Sequence, residues 1–181
     1  MISNNTTTST VSNSITKRIV SVGLYSTISG ELIGFSTTTA TKVNGKNTLS
    51  CVEKDLDGNI INEYTIENAS NLAVDLIGSW EQTSCSYTDD EVAFRNESFV
   101  CDKQFYEEAL ITAKTVIERV FEDGKLKGTI SANYTPSGNT ININDVAKQI
   151  VINSDIMTVT YKDCSQKEGW SGTLVTKYSR K

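Results

Sequence analysis

The chain is predicted to be all-β and mainly antiparallel, on three observations. Runs rich in β-branched residues recur roughly every ten residues, enough for about ten to twelve short strands. Asn-Gly and Asp-Gly pairs punctuate these runs, and such pairs favour the type I′ turns of β-hairpins, which need positive φ at both central residues. No internal period of about 20 to 50 residues is visible, which disfavours a propeller or solenoid and leaves a sandwich or barrel.

A chain of 181 residues suits one sizeable core, or one core with a small appendage. Its 38% hydrophobic and 22% charged residues are ordinary for a folded soluble protein. No window approaches the roughly 18 consecutive apolar residues of a transmembrane helix. The net charge of −5 argues against a nucleic-acid partner, since phosphate binding depends on clustered Lys and Arg. Lys17-Arg18 and the terminal Lys177, Arg180 and Lys181 are the basic groupings, read as solvated charges.

Taken in order, residues 1–16 are almost devoid of side chains worth burying and are expected to be a disordered tether. Residues 17–70 read as a β-meander, with strands expected over 18–26, 32–42, 48–53 and 60–66. Turns are expected at Ser29-Gly30, Asn44-Gly45 and Asp57-Gly58. Residues 68–75 form a polar break before a strand over 77–86, and the acidic Asp89-Asp90-Glu91 begins a long exposed loop ending at Cys101.

The stretch 102–124 has two readings. Phe105, Ala109, Ala113, Val116, Ile117 and Val120 recur near helical spacing, between Asp102 as a cap and Gly124 as a terminator, which suits one long helix. The preferred reading is one short helix over 103–110 followed by a strand over 112–122, because Thr112, Thr115, Val116, Ile117, Val120 and Phe121 are strand formers. Asp123-Gly124 then turns into a strand over 126–134. Pro136 falls in a turn with Ser137-Gly138-Asn139, and strands over 141–144, 150–152, 157–161 and 173–178 complete the chain.

Gly78-Ser79-Trp80 resembles the Gly-x-Trp of the first barrel strand in lipocalin-like (calycin) proteins, in particular the small bacterial lipocalin-like domains. The hairpin-like 121–128, the run 134–141 and a last strand ending Tyr178-Ser179-Arg180 follow in the family's order. The resemblance covers residues 72–181 and implies a lipocalin-like β-barrel over 71–181, with the N-terminal β-meander over 17–70 beside it, or one continuous domain over 17–181. It further implies that Trp80 closes the barrel base with Gly78 giving close backbone approach, and that Arg180 packs across the indole. The meander adds strands to the sheet, caps an open end or forms its own layer.

Cys51, Cys85, Cys101 and Cys164 show no C-x-x-C spacing, and the chain has no histidine, so zinc is not expected. In an exported protein they form two disulfides, with Cys85–Cys101 favoured for its shorter loop; in a reducing compartment they are buried thiols. Without histidine the commonest hydrolase nucleophiles cannot be built, and no Gly-rich phosphate loop is present. Ser14-Ile15-Thr16-Lys17 matches Ser-x-x-Lys by chance, lacking the later motifs such enzymes need. Asp55-Leu56-Asp57-Gly58-Asn59 reads as a hairpin turn rather than a calcium loop.

The expectation is therefore a protein that is not an enzyme and uses no cofactor or metal. The resemblance implies a binding protein holding a small hydrophobic ligand. With the cysteines and the polar tether, it implies export to the periplasm, cell surface or exterior, as a lipoprotein whose leader has been removed. The alternative is a protein–protein interaction or structural module with a closed, ligand-free core.

Overall fold

The structure is a computed structural model, and it describes residues 7–12, 15–26, 28–101, 104–162 and 171–181. It divides into two compact units, one comprising Met1–Ser79 with Leu110–Ala113, the other Trp80–Ala109 with Lys114–Lys181.

The first unit is a five-stranded antiparallel meander in the order β1-β2-β3-β4-β5, built from β1 (Thr7–Ser12), β2 (Ile15–Tyr25), β3 (Leu32–Val43), β4 (Lys46–Asp55) and β5 (Ile60–Glu67). Strand β1 lies within the segment expected to be a tether and pairs with β2 from Thr7↔Val20 to Ser12↔Ile15. Asn44 and Gly45 both have positive φ (48° and 77°), as a two-residue I′ turn between β3 and β4 requires. Gly58 alone is positive in the next turn, where Asn59 N–H and its side-chain amide both donate to the Asp55 carboxylate. That network makes Asp55–Asn59 a hairpin connection.

One face of this sheet is buried, and the period-2 alternation selects it: Val20 and Val22 on β2, Ser36, Thr38 and Ala40 on β3, Asn47, Leu49 and Cys51 on β4. Register brings them together, with Val20↔Thr38, Val22↔Ser36, Thr38↔Cys51 and Ala40↔Leu49. Helix α1 (Asn71–Leu76) packs on β3 and β4 through Ala73, Val74 and Leu76. It falls where a polar break is expected. Six residues show too little periodicity to announce a helix, but Ser70 caps it, its hydroxyl accepting from Ala73 N–H at 3.1 Å. Arg18 and Lys42 both pair with Asp75 of α1, at 3.0 and 3.5 Å.

The second architecture is an eight-stranded antiparallel barrel. Its sheet runs β14-β13-β12-β11-β10-β9-β8-β6-β7, and β14 pairs with β6 to close it. The strands are β6 (Gly78–Asp89), β7 (Glu97–Val100), β8 (Phe105–Ile111), β9 (Thr115–Glu122), β10 (Lys125–Ser137), β11 (Thr140–Ile143), β12 (Val146–Asn153), β13 (Ile156–Lys162) and β14 (Gly172–Arg180). β7 is an additional short strand paired to β6 between Ser84↔Val100 and Tyr87↔Glu97, in what is expected to be an open loop.

Residues 105–111 are a strand, which corrects both the long helix and the short helix over 103–110. Pairing with β6 and β9 overrides the helical propensity of Glu107-Glu108-Ala109-Leu110, and Tyr106 stacks on Phe121 of β9 with centroids 4.8 Å apart. Asp123 and Gly124 then form an I′-like turn with φ of 50° and 71°. Pro136 lies inside β10 opposite Ile141 rather than in the following turn. It is tolerated because the β9 pairing ends at Asn133↔Thr115, so no ladder bond is missing on that side.

The favoured disulfide does not form. No disulfide joins Cys51, Cys85 and Cys101 to one another. Cys85 sits opposite Phe99 while Cys101 N–H bonds Thr83 C=O, so the two cysteines are diagonal neighbours across the β6–β7 ladder. Diagonal neighbours in a ladder sit about 7–8 Å apart, beyond ordinary disulfide reach. Cys164, and with it any bridge it makes, lies outside the described residues, as do residues 1–6 and 13–14 of the expected tether.

Candidate binding cavity in the barrel

Pairing register identifies the inward side of each barrel strand. Opposed pairs Val116↔Ala132, Glu118↔Ile130, Ile143↔Val146, Ile150↔Val159, Ile152↔Met157 and Arg180↔Trp80 share one face, and Val116, Ile143, Ile150, Met157, Val159 and Trp80 are buried on it. On β6 this parity changes partway. Opposite the Lys177–Tyr178 step of β14, β6 carries one extra residue, Thr83, and this bulge places Trp80 and Gln82 opposite Arg180 and Tyr178, then Cys85 opposite Thr176. The extra residue lets Trp80, Gln82, Cys85 and Asp89 all be buried, which a regular strand of period 2 cannot do.

Trp80 is completely buried, and the Arg180 guanidinium carbon lies 3.9 Å from the indole centroid. Arg180 also lies against Asp155, its backbone N–H donating to the Asp155 C=O at 2.9 Å and its Nε 3.5 Å from the carboxylate. The cation is thus held between a π face and an anion. Gly78 opens the same strand with φ of 145°, a backbone conformation that side chains disfavour.

A cavity of about 270 Å³ opens on the inward face of β9 to β13. Val116, Ile130, Ala132, Ile143 and Val146 form its apolar wall, and Glu118, Lys148, Tyr161 and Asn144 supply polar groups. Lys148 Nζ lies 3.9 Å from the Glu118 carboxylate and 4.7 Å from the Tyr161 centroid, so the ammonium is held by an ion pair and a cation–π contact together. Val146 and Ile130 remain exposed at the rim, while Val116 and Ile143 are buried.

Ionisable side chains continue into the barrel. Burial pushes the Glu107 carboxyl above the ordinary range, the nearby Glu118 pushes it further, and Lys148 draws it partly back. Tyr178 is held well above the usual phenol range by burial first, then by Glu107, Glu118, Tyr161 and Cys85. Burial likewise raises the Cys85 thiol, against a weak Thr176 contact at 3.8 Å. Tyr134 is raised by burial alone. The Gln82 amide oxygen is buried with no hydrogen-bond partner among the described residues.

The Asp89-Asp90-Glu91 segment is not uniformly solvated. The Asp89 carboxylate is buried and organises the loop, accepting from Glu91 and Val92 N–H at 3.0 and 2.8 Å and from the Tyr87 hydroxyl at 3.2 Å. Burial raises its pKa, but these bonds and Arg95 outweigh that and leave it below the usual range. Among the described residues no group of three or more His, Cys, Asp or Glu side chains is placed to hold a metal ion, and no helix is long and apolar enough to cross a membrane.

Sequence reasoning had singled out Gly78, Trp80 and Arg180, and the structure places Trp80 and Arg180 in contact. It had not singled out Glu107, Glu118, Lys148 or Tyr161. The one available signal was Glu118 within Val116-Ile117-Glu118-Arg119-Val120, a charge at an inward position of an otherwise apolar alternation.

No protein-family model matches the chain, and no curated protein matches it. Among solved structures, it is similar to a protein of unknown function from the DUF3598 family of Nostoc punctiforme PCC 73102. The identity is 10% and the TM-score 0.37, with 98% of this chain and 94% of that one covered.

Proposed function

We propose that this is a lipocalin-like, non-enzymatic binding protein whose barrel holds a small apolar molecule in the cavity between β9 and β13. The observation behind this reading is the wall of Val116, Ile130, Ala132, Ile143 and Val146 lining about 270 Å³, close to the lower end of ordinary ligand pockets. Trp80 under Arg180 is the barrel-base closure of such a protein, with Gly78 beside it. Placement in the cell envelope or exterior rests on the family resemblance, since no disulfide joins Cys51, Cys85 and Cys101 to one another.

A titration with an environment-sensitive apolar fluorophore tests the reading. Saturable binding is expected for the parent chain, and loss of it for Ala132→Trp, which fills the cavity from its wall. An absence of saturable binding in the parent, or equal binding by a folded Ala132→Trp variant, rejects the cavity as a site.

A second reading, a protein-interaction module, is favoured by β5. This strand is an edge of its sheet, and Ile60, Ile61 and Ile66 on it are exposed, as strand addition by a partner would use.

A further inference from the structure

Resting on the cavity reading, we infer that the barrel cavity selects an uncharged amphiphile, an aliphatic alcohol by class, over acids and amines of the same chain length. Glu118 and Lys148 are the charged side chains that line it, one of each sign, and apart from Tyr161 and Asn144 the rest of the lining is apolar. The charged part of the lining is therefore a dipole with no net charge. Glu107 is not among the lining side chains, and burial shifts it towards its neutral form.

A charged head group gains little net attraction from such a pair. A carboxylate approaching Lys148 meets Glu118 only 3.9 Å further on, and an ammonium approaching Glu118 meets Lys148 across the same gap. Attraction and repulsion largely cancel, while the ligand still gives up its water. The π face that would reward a cation is already taken by the Lys148 ammonium, 4.7 Å from the Tyr161 centroid. A hydroxyl fits the pair better, because it is donor and acceptor at once. The 3.9 Å between the ammonium nitrogen and the carboxylate oxygen exceeds the roughly 2.7–2.9 Å of a direct charge-assisted hydrogen bond. One hydroxyl oxygen bridges that gap as a water would, accepting from Lys148 and donating to Glu118. The alkyl portion then lies along the apolar wall.

Calorimetric titration of the full chain at neutral pH with octanol, octanoate and octyltrimethylammonium tests this. Octanol is expected to bind the parent about tenfold or more tightly than either ion. An alcohol is favoured to some degree by any apolar site, so the decisive result is how the ranking moves when the pair is broken. Lys148→Met leaves Glu118 alone and should raise the affinity of the cation relative to octanol by about tenfold, with no gain for octanoate. Glu118→Gln leaves Lys148 alone and should do the reverse, raising octanoate and not the cation. Lys148→Arg keeps the balance of charge and should keep the parent's ranking. Either ion binding the parent as tightly as octanol overturns the inference, and so does a ranking that the two neutral variants leave unchanged or shift in the same direction; in both cases the apolar cavity stands. Failure of all three ligands to bind the parent overturns the cavity reading and this inference with it. The Lys148 and Glu118 side chains are 17% and 32% exposed, so neutral replacements there are not expected to unfold the barrel, and a circular dichroism spectrum checks each variant before titration.

Discussion

The five-stranded sheet and the barrel bury different chemistry. The sheet packs a single face of neutral, non-aromatic side chains: Ser36, Thr38, Ala40 and Cys51 line up across β3 and β4 beside Val20, Val22 and Leu49, with the Ser36 hydroxyl 3.3 Å from the Cys51 thiol. Its charged pairs, Arg18 and Lys42 with Asp75, stay only partly buried. The barrel buries large aromatic rings, Trp80, Tyr134 and Tyr178, and places Glu107, Glu118 and Lys148 among them. A one-sided sheet under a short helix needs small residues for close approach and satisfies its hydroxyls locally. A closed barrel has more interior to fill, and where bulky side chains do not fill it a cavity with its own electrostatics remains.

The largest expected effect tests whether the aromatic core dominates the barrel. Trp80→Ala removes a completely buried indole and leaves Arg180 without its π partner. Chemical denaturation should show a loss of about 3–5 kcal/mol. A loss below about 1 kcal/mol would mean that the barrel is held mainly by its ladder and not by its base.

On the sheet side, the effect should be smaller and of a different kind. Thr38 is completely buried, and its hydroxyl accepts from the Ala113 N–H at 3.3 Å. Thr38→Val keeps the shape and strands that donor, for an expected cost of about 1–3 kcal/mol in the same measurement. Should it cost as much as Trp80→Ala, the contrast between a non-aromatic core and an aromatic one would lose its energetic meaning. A neutral outcome would show that the Ala113 N–H finds another acceptor.

The smallest effect concerns pH and belongs to the barrel alone. Burial raises the Glu107 carboxyl, so folding favours its protonated form. The stability linked to it is fully present below the carboxyl's unfolded value and is lost as pH rises through the higher folded value. Between those limits the parent's denaturation midpoint should fall with pH, and that of Glu107→Gln should fall less. Parallel curves for parent and variant would place the buried acid effect elsewhere in the barrel.

Much of the fold was legible because it is encoded within a few residues. Asn44-Gly45 and Asp123-Gly124 adopt the positive φ angles their turn chemistry demands, and alternation along β3, β4, β11 and β13 marks the buried side. Residues 105–111 misled because Glu107-Glu108-Ala109-Leu110 suits a helix locally, while the neighbours that make it a strand, β6 and β9, are supplied by closure. Helix α1 was missed for the opposite reason: it is too short for a period to show, and its stability comes from Ala73, Val74 and Leu76 packing on the sheet.

The sequence by itself determined that the chain is all-β, where most strands turn, and that Trp80 and Arg180 belonged on one structural hypothesis. Tertiary structure decided what faces the barrel interior. The bulge in β6 at Thr83 switches its parity between Gln82 and Cys85, and strand order brings together Glu107, Glu118 and Lys148 from β8, β9 and β12. It also set Cys85 and Cys101 a diagonal apart, with no bridge between them. Turns and strand propensity are short-range properties of the chain, whereas register, bulges and closure arise only when residues distant in sequence pair, and the cavity is built from those pairings.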